Sequence, residues 1–233
     1  MNPQEPKYRH ELKYLISAAQ LPLLESRIKP LMQLDSHVGS AGLYNIRSLY
    51  FDDYSNQCYI DNIDGTSPRE KFRIRIYNHT PSRITLECKR KDAGKTLKSS
   101  SVLSLEQAQL LMAGRPLENF DSLPALQKKL CLQMQGRGLR PVVIVEYERI
   151  PYTYKNGNVR VTFDTNLSAS SHVEGFFSLD IPKRPVMPAG MHLMEVKFDE
   201  YLPDFIYRSL NLGHLQQCSF SKFRLCREYT MIS

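Results

Sequence analysis

A chain of 233 residues that is 42% hydrophobic and 24% charged has the composition of an ordinary globular protein, with length for one domain or two small ones. Its net charge of +7 asks for an anionic partner: nucleic acid, an acidic membrane surface or a phosphorylated small molecule. Five cysteines, an odd number with no CxxC spacing, argue against a disulfide framework or a cysteine zinc site, and no apolar run approaches the roughly 20 residues of a membrane helix.

The N-terminal stretch MNPQEPKYRHELKY is polar and has no apolar signal core, so a soluble, cytoplasmic protein is expected. HELKYLI (10–16) is the first strand pattern, with Glu11 and Lys13 opposite Leu12 and Tyr14. Ser17 can cap a helix over AAQLPLLESRIKPLM. NIRSLYFD (45–52) puts Arg47 with Leu49 and Phe51. After the turn NIDGT, EKFRIRIYN (70–78) alternates without a break, Lys71, Arg73 and Arg75 on one face and Phe72, Ile74 and Ile76 on the other. RITLECKRK (83–91) sets Thr85, Glu87 and Lys89 against Ile84, Leu86 and Cys88, and TLKSSSVLS (96–104) carries Lys98 on a more polar strand. Ser104 and Gln107 make a capping box for LEQAQLLMAG, which Gly114 ends. LPALQKKLCLQMQ (123–135) is a further helix.

PVVIVEYERIPY (141–152) aligns Tyr147 and Arg149 with Val143 and Val145. The hairpin turn KNGN leads into VRVTFDT (159–165), with Arg160, Thr162 and Asp164 against Val159, Val161 and Phe163. LMEVKFD (193–199) aligns Glu195 and Lys197, LPDFIYRSLNLG (202–213) reads as a helix, and SFSKFRLCREY (219–229) reads as a last strand with Lys222 and Arg224.

Eight or nine strands, each with one apolar and one charged face, and four helices predict an α+β protein. The economical form is one domain spanning 1–233, a closed antiparallel β-barrel of about eight strands with helices packed outside. The apolar faces look outward to the helices and the charged faces inward. Lys13, Arg47, Arg73, Arg75, Lys89, Lys98, Arg149, Arg160, Lys197 and Lys222 then point into a lumen with Glu11, Glu87, Glu195 and Asp164. Buried charge on this scale needs water, internal ion pairs or a bound polyanion. Arginine offers a planar fork to phosphate oxygens and lysine a compact point charge, while the carboxylates suit Mg²⁺ or Mn²⁺. Together these point to phosphoryl transfer, which is mostly positioning and charge stabilisation. For a single strand, a solvated face is the competing explanation. No Walker A or GxGxxG motif is present, the histidines lack metal spacing, and the basic residues alternate with apolar ones instead of forming a patch with stacking aromatics, which argues against nucleic acid.

YRHELKYLI, SLYFDD, KFRIRIY, ECKRK, VEYERIPY, VRVTFD, MEVKF and SFSKFRL, in this order, resemble the VTC domain, a member of the triphosphate tunnel metalloenzymes together with the CYTH phosphatases and adenylate cyclases. The resemblance implies a polyphosphate polymerase that moves the γ-phosphate of ATP onto a growing chain inside a basic tunnel. It implies that Arg73, Arg75, Lys89, Arg149, Arg160 and Lys222 carry the reaction, and that Lys13 and Lys98 hold phosphates, with hydrogen bonds from Tyr147 and Ser221. Arg47 and Lys197 join the substrate-binding set from their strand faces. Glu195, with Glu11, is the expected ligand of Mn²⁺ or Mg²⁺. CYTH enzymes carry ExExK on their first strand, and here Arg9 stands in place of the first Glu, which weakens a second metal site and the hydrolytic reading. The alternatives are a metal-dependent tripolyphosphatase or nucleoside triphosphatase, and a non-catalytic polyphosphate-binding module. No membrane insertion of this chain is expected, and a membrane partner would act in trans.

Overall fold

In the computed structural model, residues 9–93 and 95–231 are described. Among them lie ten strands: β1 His10–Ser17, β2 Gln33–Leu34, β3 Tyr44–Asp52, β4 Arg69–Tyr77, β5 Thr80–Asp92, β6 Lys95–Leu103, β7 Arg140–Tyr154, β8 Val159–Ser170, β9 Arg184–Pro185 and β10 Met191–Phe198. Six α-helices accompany them: α1 Gln20–Ile28, α2 Gln57–Ile63, α3 Leu105–Met112, α4 Ala125–Arg137, α5 Asp204–Ser209 and α6 Lys222–Met231. The strands form one sheet in the order β1-β10-β8-β7-β3-β4-β5-β6, with β2 added to β7 and β9 to β8. The defined ladders are antiparallel. The α+β antiparallel expectation therefore holds, and among the described residues no hydrogen-bonded ladder joins β1 to β6.

The chain divides into two compact units. The first takes the chain up to Asn45, Tyr147–Leu167 and Met187–Phe220. Its core gathers Tyr14 and Ile16 of β1, Leu24 and Ile28 of α1, Val161 and Phe163 of β8, Met194 and Val196 of β10, and Ile206 of α5. The second takes Ile46–Glu146, Ser168–Val186 and the chain from Ser221. Its core gathers Leu49 and Phe51 of β3, Phe72, Ile74 and Ile76 of β4, Ile84 and Leu86 of β5, Ala108 and Leu111 of α3, and Leu130 and Cys131 of α4. In both, alternate strand residues supply the core, each worth roughly 1.5–3 kcal/mol when fully buried, and the other parity is left for polar side chains.

Local signals behave as their chemistry requires. Ser104 accepts from the Gln107 amide while the Gln107 side chain accepts from the Ser104 amide, the capping box that starts α3. Ser17 and Gln20 make the same reciprocal pair ahead of α1. Gly138, at φ +66°, ends α4 in the left-handed region that favours glycine.

Two segments differ from the sequence expectation. SFSKFRLCREY is not a strand: from Lys222 it is α6. Phe223 and Cys226 are its buried residues, three apart, which is a helical spacing as much as an interrupted alternation. Ser221 starts the helix, its hydroxyl accepting from the Arg224 amide at 3.3 Å and its carbonyl from the Leu225 amide at 3.0 Å. The other segment is α2, which sequence reading passed over. Its cap comes from the end of β3: the Asp52 carboxylate accepts from the amides of Cys58 and Tyr59 at 2.8 and 3.1 Å, and Asp53 accepts from that of Gln57 at 2.9 Å.

Candidate functional site

In the second unit, the polar face is set by the register of β3, β4, β5 and β6. Antiparallel partners share a face, so Ser48 lies with Arg75 and Tyr50 with Arg73. Across β5 and β6 the rows continue as Arg73–Glu87–Ser100 and Lys71–Lys89–Lys98. Glu87, 3% exposed, is the focus. Its Oε2 accepts from Arg73 Nε at 2.7 Å and pairs with Arg73 Nη2 at 2.6 Å, while Arg75 Nη1 stands 3.7 Å away and Lys98 Nζ is 2.6 Å from Oε1. Burial pushes the Glu87 carboxyl up, but Arg73, Arg75 and Lys98 together hold it well below the usual carboxylate range.

Hydroxyls complete the arrangement. Arg73 donates to the Tyr50 hydroxyl at 2.7 Å and lies 5.6 Å from its ring centroid, and Arg75 donates to Ser48 at 3.1 Å. Lys71 Nζ reaches Ser221 at 3.4 Å and lies 5.3 Å from the Phe223 ring, which itself packs 5.1 Å from Tyr50. The start of α6 thus sits on this face, and Ser221 is brought to it as the first hydroxyl of a helix. Lys222 follows as the first residue of that helix. Lys89 is half-buried in the Lys71–Lys89–Lys98 row.

Arg47 is a correction. It pairs across the ladder with Ile76, next to Leu49 and Ile74, so it faces the core and not the side that carries Arg73 and Arg75. It is fully buried there, donating to Glu146 at 2.6 Å and to the carbonyls of Phe176, Ser178 and Leu179. Lys183 donates to the same Glu146, and His79 stands 3.3 Å from it. The parity of NIRSLYFD already placed Arg47 with Leu49 and Phe51; its charge alone had put it in the site. Conversely, sequence reasoning missed Ser48 and Tyr50, whose signal was the same parity read for hydroxyls.

In the first unit, the register Glu11–Lys197–Arg160 and Lys13–Glu195–Thr162 builds a second charged face, here with paired signs. Lys13 pairs with Glu11 at 3.0 Å and donates to the Phe220 carbonyl at 2.6 Å. Lys197 pairs with Glu195 at 2.8 Å. Arg149 is gripped by Asp164 through Nε at 2.6 Å and Nη2 at 2.7 Å, with Glu195 at 3.5 Å. Burial works against its charge, but Asp164, Tyr147 and Glu195 hold its pKa well above the usual arginine value. Tyr147 is buried beneath it, the guanidinium 5.3 Å from the ring centroid. Arg160 binds the Tyr44 hydroxyl at 2.7 Å and Asp35 at 2.9 Å, two partners the sequence did not announce. Arg9, in the position of the missing Glu, pairs with Asp199 at 2.9 Å.

Among the described residues no three His, Cys, Asp or Glu side chains gather as a metal cluster. The donor set still suits one kind of cation. Mg²⁺ keeps several waters and takes one or two carboxylates beside substrate phosphates, and Glu11 and Glu195, each held by a lysine, are such carboxylates.

A family model described as the VTC domain matches residues 8–231. No curated protein matches the chain. Solved structures that share its fold include the following two. One is a proposed adenylate cyclase from Bacillus halodurans, 15% identical, with a TM-score of 0.52 over 93% of this chain and 94% of that one. The other is a proposed adenylyl cyclase from Hippeastrum, described as revealing a dominant triphosphatase activity, 12% identical, with a TM-score of 0.54 over 96% of each chain. At 15% and 12% identity, these likenesses are likenesses of fold.

Proposed function

The chain belongs to the VTC domain family, and on that premise we propose that it is a polyphosphate polymerase, transferring the γ-phosphate of ATP onto a growing inorganic polyphosphate chain. The observation that carries the reading is the β4–β5–β6 face, where Lys71, Arg73, Arg75, Lys89 and Lys98 share one side of the sheet with a single carboxylate among them, Glu87. Such an excess of positive charge is complementary to a polyanion.

The transfer needs few covalent helpers. A terminal oxygen of the acceptor chain attacks the γ-phosphorus, the bond from that phosphorus to the β–γ bridging oxygen breaks, and ADP leaves with the electron pair. Charge spreads over the equatorial oxygens as this happens, and preorganised cations stabilise it. Arg73, Arg75, Lys89, Arg149, Arg160 and Lys222 take that role in this proposal, while Lys13, Lys98, Lys197, Tyr147 and Ser221 hold the substrate. Glu195 and Glu11 would hold a divalent cation, Mn²⁺ or Mg²⁺, which would supply positive charge to offset that of the phosphates. Arg47 has no part in it.

Incubation of the protein with ATP and Mn²⁺ should yield ADP and acid-labile chains longer than triphosphate, and chelation of the metal should stop both. Orthophosphate as the sole phosphorus product besides ADP would sink the polymerase reading. It would favour the second one, a metal-dependent triphosphatase, which the activity described for the Hippeastrum protein supports.

A further inference from the structure

We infer that Glu87 is a positioning residue, whose buried carboxylate holds Arg73, Arg75 and Lys98 at adjoining points of the β4–β5–β6 face so that they can receive phosphate. The inference rests on the reading that this face binds a polyphosphate.

The geometry divides the carboxylate between the cations. Oε2 takes both Arg73 nitrogens, at 2.7 and 2.6 Å, with Arg75 Nη1 at 3.7 Å, and Oε1 takes Lys98 at 2.6 Å. Each arginine has a second anchor on β3: Tyr50 receives Arg73 at 2.7 Å and Ser48 receives Arg75 at 3.1 Å. A planar guanidinium pinned at two places has its orientation set, which matters because arginine recognises phosphate through a rigid fork. Lys98 depends on Glu87 more. Its side chain is 52% exposed on a flexible four-carbon stem, and without the carboxylate nothing among these contacts keeps its ammonium against the face. Three cations that converge on one point also repel one another, and Glu87 offsets that repulsion.

An alternative role would be purely electrostatic: a fixed negative charge that weakens anion binding. The two roles predict opposite signs. If Glu87 only subtracts charge, its removal makes the face more positive and tightens phosphate binding. If it positions the cations, its removal disperses them and loosens binding despite the gain in charge.

The test measures tripolyphosphate affinity by calorimetry, without metal, for the parent, Glu87→Gln and Glu87→Asp, with circular dichroism and melting to establish folding. Glu87→Gln, although one unit more positive, should bind roughly tenfold more weakly. Should that variant fail to fold, Glu87→Asp decides: it keeps the charge and withdraws the carboxylate by one methylene. It should remain folded, bind several-fold more weakly and raise KM for ATP. Parental or tighter binding by either folded variant overturns the inference. Because binding is read without turnover, the polymerase reading fails separately: a parent that binds tripolyphosphate but extends no chain sinks that reading and leaves the affinity comparison to judge Glu87.

Discussion

Arg47 and Arg75 are both buried arginines of the second unit, at 0% and 6% exposure, and their partners give them different work. Arg47 is spent on Glu146 and three backbone carbonyls of the segment before β9. Arg75 looks to the polar face with Ser48 and Glu87. Removing one partner of a buried pair leaves a charge uncompensated, so Arg47→Ala should cost about 3 kcal/mol of stability in urea unfolding. Its tripolyphosphate affinity, measured on folded protein, should stay at the parental value. Arg75→Ala should show the reverse: a smaller loss in urea and the loss of most tripolyphosphate binding by calorimetry. Equal effects of both substitutions on binding would remove the distinction between the two faces. Both assignments follow from position parity alone, Arg47 with Leu49 and Arg75 with Lys71, once parity is given precedence over charge.

At the level of elements, what was legible in the sequence and what was not has a physical cause. Strands with unbroken alternation, such as KFRIRIY, declare both faces, and β4, β5, β8 and β10 carry their cations where alternation puts them. SFSKFRL alternates too, but only over a few positions, and the spacing of Phe223 to Cys226 is equally helical; tertiary packing decided between the two. For α2 the missing signal is its cap, because Asp52 belongs to a strand and reaches forward six residues to Cys58. The first misreading bears directly on the polar face, because α6 brings Ser221 and Phe223 to it. Phe223 is 1% exposed and touches Tyr50 and Lys71, so Phe223→Ala should cost roughly 3–5 kcal/mol. Hydrogen exchange should show α6 amides opening first, with weaker tripolyphosphate binding as Lys71 and Tyr50 lose their backing. Uniform loss of protection across the molecule would mean that α6 is no separate clamp on the face.

For the molecule as a whole, acid is the condition that most directly tests its ion pairs. The Glu146 carboxyl is pushed up by burial but drawn down by Lys183 and Arg47, from 4.5 to about 2. A depressed pKa means that folding favours the ionised form, so this stabilisation is complete above about pH 4.5 and lost as pH falls toward 2. The shift corresponds to roughly 3 kcal/mol. Glu87 adds a loss of the same sign, while Asp52, whose carboxyl burial pushes up, subtracts from it. Urea unfolding should therefore show stability falling between pH 4.5 and 2, and Glu146→Gln should flatten that slope; a profile unchanged by the substitution would show that Glu146 is not held ionised by folding. The row Lys71–Lys89–Lys98 sets three like charges on adjacent strands. Neighbouring strands lie about 4.8 Å apart and same-face residues along a strand about 7 Å, so the cations form a grid whose tightest spacing runs across the strands. Like charges set directly opposite one another repel, and Glu87, 2.6 Å from Lys98, offsets part of that repulsion. In the proposed polymerase, a polyphosphate laid across the strands offsets more of it, so the polymer is at once product and prop.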